Sequence, residues 1–401
     1  MITTHVRDQG NRMTGDTMAG PKISFITYTY NDAEFAADLL RQTQSFTVQP
    51  DEIVLVDDGS DVPFAMPDPP PNLRTIRFEK NKGITRAKGA GLSAASGDLL
   101  FSMDCDTRVS PDWLERNLPH ANVPSVGLTG GALVYRSGDD LVSRYLTHFG
   151  DNHNQHHIGV VDFIPGNAFL LRRDTWEHAG GFTAYDETNC QDHYLCTRLK
   201  RLGYSLYSDA NATAWQVRRI TRTTMCKRVW KWCHKPIKMQ ALEARTDADV
   251  INYLFGTLVA PMLDRFEDAN RLGEPLFHYL ELLYLAHAVF DSLGYLRSRG
   301  RISDQMRGGF MAGLTELFSG HPRIWSMLRA DMYAMGHDLL SASNAAADAG
   351  TRWEDFFIFS PMLRDGGLLQ WLDTQGVPLL ISDEVDSDFD FSSYANASYA
   401  V

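Results

Sequence analysis

The sequence predicts an α/β fold, a mostly parallel sheet flanked by helices, followed by a mainly α-helical second part. Three observations lead there. Short β-rich runs alternate with helix-period segments from residue 21 to about residue 208. Several of those runs are continuously apolar, as strands covered on both faces are. From about residue 241 the rhythm changes to long amphipathic segments.

Taken in order, residues 22–30 (KISFITYTY) read as the first strand, and residues 32–46 carry apolar side chains at helical spacing. Residues 51–60 (DEIVLVDDGS) form a buried strand ending in a turn, and residues 73–81 a third strand. A helix follows over 84–96 and another buried strand over 98–104. Such repetition implies parallel strands in a layered α/β architecture. Ligands of these sheets lie beyond the carboxyl ends of the strands. Residues 28–31, 57–61 and 104–106 all fall at such ends, which is the first indication of a site. Four segments are expected: a flexible 1–20, the sheet-bearing domain 21–240, a helical domain 241–375 and an acidic, mobile tail 376–401.

The whole chain sets further bounds. Its 401 residues can bury a sizeable core without covalent staples. A net charge of -12 argues against a general nucleic-acid binder, which needs clustered cations. Cys105, Cys190, Cys196, Cys226 and Cys233 form no CxxC pair, so neither a disulfide framework nor a thiolate zinc site is indicated. The first twenty residues lack the apolar core of a signal peptide. The most apolar later stretch, 275–290, is short for a bilayer and carries His278, Glu281 and His287. No transmembrane helix and a cytoplasmic setting with reduced thiols are therefore expected.

In Asp104-Cys105-Asp106, residues i and i+2 of an extended segment project to the same side, so both carboxylates can face one point. Two anions held there repel unless a cation or donors sit between them. A hard Mg²⁺ or Mn²⁺ accepts one or two carboxylates plus substrate phosphate oxygens. A solvated acidic turn is the competing reading. Asp58 follows a strand and can accept from a ligand or cap a turn.

The motifs, in order, resemble the inverting family 2 glycosyltransferases of the GT-A fold. They are ISFITYTYND, DEIVLVDDGSD, KNKGITRAKGAGLSAASGDLLFSMDCD, IPGNAFLLRRDTWEHAGGF and NCQDHYLCTRLKRLGY, spread over residues 21 to 215. The resemblance implies a nucleotide-sugar donor, UDP-linked by preference, and a divalent metal, Mn²⁺ or Mg²⁺. It assigns Asp106 as the closer metal ligand and Asp104 as a second ligand or a ribose or sugar contact. Tyr28, Tyr30 and Asp58 would hold the nucleoside, with ordinary core packing the alternative for the tyrosines. Lys88 stands where the family commonly has arginine, and would meet a phosphate, hold Asp58 in place or lie on a helix surface. Gly166 and Asn167 match the acceptor-side wall; a strand bulge is the other reading. The family's acidic pair is Gln191-Asp192 here. Asp192 becomes the general base for an acceptor hydroxyl or thiol, set against a helix N-terminal acid favoured by the macrodipole.

Residues 218–238 pack Arg218, Arg219, Arg222, Lys227, Arg228, Lys231, Lys235 and Lys238 beside Trp230 and Trp232. A lid over the departing pyrophosphate, a membrane-surface or anionic-acceptor patch and a solvated helix face all stay open. His153, His156 and His157 read as an exposed loop near the acceptor, and His234 as an outlying metal ligand. The acceptor could be a glycan, a lipid-linked saccharide, a small molecule or a peptide. A peripheral membrane contact and a homo-oligomer through the helical part also remain open. Two rivals stand: a sugar nucleotidyltransferase, which would carry a glycine-rich basic loop after the first strand, and a non-catalytic homologue, kept alive by Gln191. A dehydrogenase is disfavoured, since no GxGxxG follows that strand.

Overall fold

The computed structural model describes residues 20–135, 138, 140–149, 154–185, 190–222, 224–226, 260–298, 303, 315–334 and 367–374. Residues 1–19 of the expected N-terminal segment 1–20, the boundary near 240 and the tail 376–401 lie outside them.

Strand β1 (Ile23–Thr29) leads into helix α1 (Ala33–Gln42), then β2 (Glu52–Asp57), β3 (Leu73–Arg77), α2 (Ile84–Ala94) and β4 (Leu99–Met103). These strands lie in the order β3-β2-β1-β4 and every pair among them is parallel. Their apolar side chains bury β1, β2 and β4 almost completely, whereas β3 at the sheet edge is partly exposed. Alternate residues serve opposite faces. Phe25, Leu55 and Phe101 pack with Leu39, Leu40 and Trp113 on one side. Ile26, Val54 and Leu100 pack with Leu92, Trp176 and Leu199 on the other. Phe101 lies stacked on Trp113 at 4.6 Å and edge-on to Phe25 at 5.3 Å, which anchors the strand bearing the acidic motif.

The second half of the sheet is mixed. After β5 (Thr107–Val109) and α3 (Trp113–Ala121) come β6 (Val126–Tyr135), α4 (Leu141–Phe149), β7 (Ile158–Val161) and β8 (Ala168–Arg172). Then follow α5 (Arg173–Ala179), α6 (Gln191–Arg201) and β9 (Ser205–Gln216). The order continues β4-β8-β6-β9-β5, with β7 on β9. Within it β8, β5 and β7 are antiparallel to their neighbours, whereas β6 and β9 run parallel.

The described helical part consists of α7 (Ala260–Leu272), α8 (Pro275–Ser298), α9 (Pro322–Ala334) and α10 (Leu368–Thr374). It is joined to the sheet domain by buried polar contacts. Tyr145 on α4 donates to Glu281 on α8, which also accepts from Arg265 on α7 at 3.4 Å. Asp331 on α9 accepts from Tyr279 and faces Arg222 at 3.4 Å. Among the described residues no helix is long and apolar enough to cross a membrane.

Candidate active site

The antiparallel pairing of β4 with β8 builds the centre of the site. Met103 lies opposite Ala168, and Asp104 N–H donates to the Asn167 carbonyl at 2.9 Å, extending the ladder by one residue. The chain then turns, with Thr107 N–H bonded to the Asp104 carbonyl at 3.0 Å. Cys105, between the two aspartates, is buried in the core. The two carboxylates are held from different sides. Asp104 Oδ1 accepts from Tyr28 Oη at 3.0 Å and from Lys88 Nζ at 2.7 Å. Burial raises the Asp104 carboxyl above its usual range, an effect that Lys88 opposes and Asp106 reinforces. Burial, followed by the Asp104 charge, pushes the Tyr28 phenol well up, so it remains a donor.

Asp106 meets Arg218 because of strand pairing. Thr107 lies opposite Gln216, and Val217 N–H donates to the Asp106 carbonyl at 2.9 Å. Arg218 Nε then reaches Asp106 Oδ2 at 2.9 Å, while its Nη2 reaches Asp32 Oδ2 at 2.6 Å. The guanidinium lies 4.7 Å from the centre of the Phe35 ring.

At the end of β2 the two aspartates do different work. Asp57 accepts from the backbone N–H groups of Ser60 and Phe64 and from Arg77, so it shapes its own turn. Asp58 accepts from Lys82 N–H at 2.8 Å and Gly83 N–H at 2.9 Å. It thereby draws the loop before α2 against the strand end. Gly59 permits this approach: its φ is +75°, and a Cβ would come within 2.4 Å of the Lys80 backbone. Asn31 completes the rim, donating from its N–H to Ser60 Oγ and accepting from Asp61 N–H. Tyr30 is 43% exposed beside them, with its ring open to a ligand, whereas Tyr28 is tied to Asp104.

Lys88 departs from two of its predicted roles. It is neither on a helix surface nor bonded to Asp58; it is 0% exposed, because α2 turns this side chain beneath the strand ends. Its ammonium donates to Asp104 and, at 2.7 Å, to the Gly166 carbonyl.

Across from Lys88, beyond Gly166, α6 begins after Cys190, which holds a left-handed φ of 57°. Asp192 falls in the first turn, where the helix dipole favours an anion. Its Oδ2 accepts from Gly166 N–H at 3.0 Å and its Oδ1 from His193 N–H at 2.8 Å. A Cβ on Gly166 would lie 3.2 Å from Asp192 Cβ and 3.4 Å from Gln191 Nε2. Gln191 is buried. The structure thus brings Tyr28, Lys88, Asp104, Gly166 and Asp192 into one hydrogen-bonded chain, with Asn167 tied to it through its carbonyl.

The donor set suits a hard cation shared with a ligand. Among the described residues, Asp104 Oδ2 and Asp106 Oδ1 accept no hydrogen bond, yet neither is sealed from solvent. No group of three or more His, Cys, Asp or Glu side chains could bind a metal alone among those residues. Two carboxylate oxygens with phosphate oxygens and water completing the shell is a Mg²⁺ or Mn²⁺ pattern.

Asp32 escaped the sequence reading. Its signal was position alone, just past the first strand beside Asn31. Arg218 stood within the basic run, but with no partner assigned. That run is not a uniform solvated face where described: Arg222 is buried against Asp331, and Arg219 is exposed with Asp140 at 3.9 Å. Residues 227–238, including Trp230, Trp232 and His234, lie outside the described residues, as does His153. His156 and His157 are exposed, as expected.

A mixed sheet with an acidic rim at the carboxyl ends of its parallel strands agrees with the α/β fold expected from the sequence. Residues 24–188 match the family described as Glycosyl transferase family 2. A pre-mycofactocin glycosyltransferase of Mycobacterium tuberculosis is 30% identical over 166 residues, which are 38% of this chain and 35% of that protein. The match thus spans about a third of that relative's length. A glucosyl-dolichyl phosphate glucuronosyltransferase of Haloferax volcanii is 21% identical over 302 residues, 68% of this chain and 94% of that one. Among solved structures, a mannosyltransferase of Pyrobaculum calidifontis in complex with GDP-Man and Mn²⁺ is 17% identical with a TM-score of 0.45. That alignment covers 68% of this chain and 87% of that one. Residues 24–188 are thus similar to glycosyltransferase family 2, over about two fifths of the chain.

Proposed function

We propose that this protein is an inverting, metal-dependent glycosyltransferase that moves a sugar from a nucleotide-diphosphate donor, UDP-linked by preference, to an acceptor. The observation that carries the reading is the pairing of the Asp104–Asp106 rim with Asp192 through Gly166. That arrangement supports a leaving-group site and a proton-accepting site on one hydrogen-bonded frame. Tyr30 would stack on the base, and Asp58 holds the loop at residues 82–83 that borders the same strand ends. Asp106 and Asp104 would hold the divalent ion, which when bound supplies a Lewis acid for the departing diphosphate. Asp192 would take the proton from the attacking hydroxyl (or thiol). Its fixed position favours this role: Gly166 N–H holds one oxygen, and the half-buried carboxylate still reaches solvent.

For in-line attack with inversion, one carboxylate must face the acceptor while the diphosphate leaves on the opposite side. The relative named as a glucosyl-dolichyl phosphate glucuronosyltransferase favours a lipid-linked or glycan acceptor. A cytoplasmic setting with reduced thiols belongs to the same reading.

The test is a screen of UDP- and GDP-sugars for thermal stabilisation with Mn²⁺, since a ligand that prefers the folded state raises its Tm. It is followed by turnover of the stabilising donor. Asp192→Asn should bind that donor as tightly as wild type and lose transfer by roughly a hundredfold or more. Normal turnover in Asp192→Asn would move the base elsewhere.

A further inference from the structure

We propose that Lys88 is a positioning residue that sets the donor-side and acceptor-side carboxylates at a fixed separation. Its ammonium grips Asp104 on one side and the Gly166 carbonyl on the other, and the Gly166 N–H in turn fixes Asp192. The inference rests on the roles proposed for Asp104 and Asp192, and goes beyond them by assigning how the two are held together.

Packing alone does not account for this residue. A buried ammonium is costly unless paired and hydrogen-bonded, and a methionine would fill much the same space. Lys88 is fully enclosed, 5.4 Å from the Tyr28 ring centre and 5.6 Å from that of Phe169. From there it bonds two groups that belong to different strands. Asp104 follows β4, and Gly166 precedes β8. Among the described residues, a single backbone bond, Asp104 N–H to the Asn167 carbonyl, otherwise joins the two strand ends beyond the ladder. Gly166 is held at both of its polar atoms, by Lys88 at the carbonyl and by Asp192 at the N–H. A displacement of Lys88 is therefore transmitted to Asp192 through one residue. Because the ammonium has no solvent exposure, it acts on a bound donor only through Asp104.

The effect should divide between binding and turnover. Loss of the Asp104 grip weakens the donor side, and loss of the Gly166 grip lets Asp192 drift; small misplacements of this kind are costly to rate. The experiment uses the full chain carrying Lys88→Met, alone and combined with Asp192→Asn. Three quantities are read: the Kd for UDP with Mn²⁺, UDP release from saturating UDP-glucose, and amide hydrogen exchange over residues 163–169 without ligand.

In Lys88→Met the affinity should fall about tenfold, UDP release about a hundredfold, and exchange over 163–169 should quicken about tenfold, while exchange within β2 stays unchanged. In the Asp192→Asn background the same change should still weaken UDP binding but reduce UDP release little further, because the two act through one group. Affinity within twofold of wild type together with unaltered exchange over 163–169 would overturn the proposal, as would full multiplication of the two effects on UDP release. If Lys88→Met does not fold, Lys88→Gln is judged by the same readings. Failure of the wild type to bind UDP would count against the nucleotide reading, and the exchange measurement would still decide the role of Lys88.

Discussion

Asp192 and Asp106 are held by unlike means, and the difference has consequences. Asp192 is fixed by two backbone N–H groups, which move only if the chain moves. Asp106 is held by Arg218, a side chain it shares with Asp32 rather than a backbone group. Gly166→Ala should therefore damage turnover selectively. The added methyl would meet Asp192 Cβ at 3.2 Å and Oδ2 at 3.3 Å, displacing this carboxylate by a few tenths of an ångström. Transfer should fall roughly tenfold with UDP–Mn²⁺ affinity held within about twofold, as rate and titration measurements would reveal. The placement of Asp104 and Asp106 at a strand end was legible in the sequence because they follow a recognisable buried strand, and Asp192 was singled out through the resemblance. The partners of Lys88 and Arg218 were not. Lys88 meets a residue 16 positions away, and Arg218 meets residues 112 and 186 positions away. Such pairings depend on strand order, which local pattern does not encode.

Among the elements, β1, β2 and β4 announced themselves as apolar runs, and all three are buried parallel strands. The antiparallel half was harder to read. β9 reads SLYSDANATAWQ, with polar residues interrupting the apolar ones, and only Leu206, Ala212 and Ala214 of it join the two core clusters. Yet that half delivers Gly166 and Arg218 to the site, so the least legible strands complete it. A side-chain clasp locks the parallel half. Glu52 on β2 accepts from Ser24 on β1, from Ser96 beyond α2 and from Arg74 on β3. Burial opposes its ionisation, but these donors outweigh burial and hold its carboxyl at about 2, below its ordinary 4.5. Because the folded-state value is depressed, the contribution is present above pH 4.5 and is lost as pH falls toward 2. Glu52→Gln should cost on the order of 2 kcal/mol at pH 7 in urea unfolding, with the deficit shrinking by about half by pH 3. A deficit that does not change with pH would contradict this account.

At the scale of the whole molecule, the helical part is stitched to the sheet domain by buried charge. Tyr145 and Arg265 both serve Glu281, which has no solvent exposure, so the α4–α8 contact depends on hydrogen bonds as well as apolar packing. Tyr145→Phe removes a bond to a charged acceptor and should lower stability by about 2 kcal/mol, read by denaturant unfolding. The change from short strands to long helices was visible in the sequence. The docking was not, since it joins residues 136 positions apart. The central claim, however, lies at the rim of the sheet. Its most direct measurement is a calorimetric titration of UDP with and without Mn²⁺ on wild type and Asp106→Ala. Mn²⁺ should strengthen UDP binding at least about tenfold in the wild type and leave the variant's affinity almost unchanged. Equal enhancement by Mn²⁺ in both proteins would contradict the account.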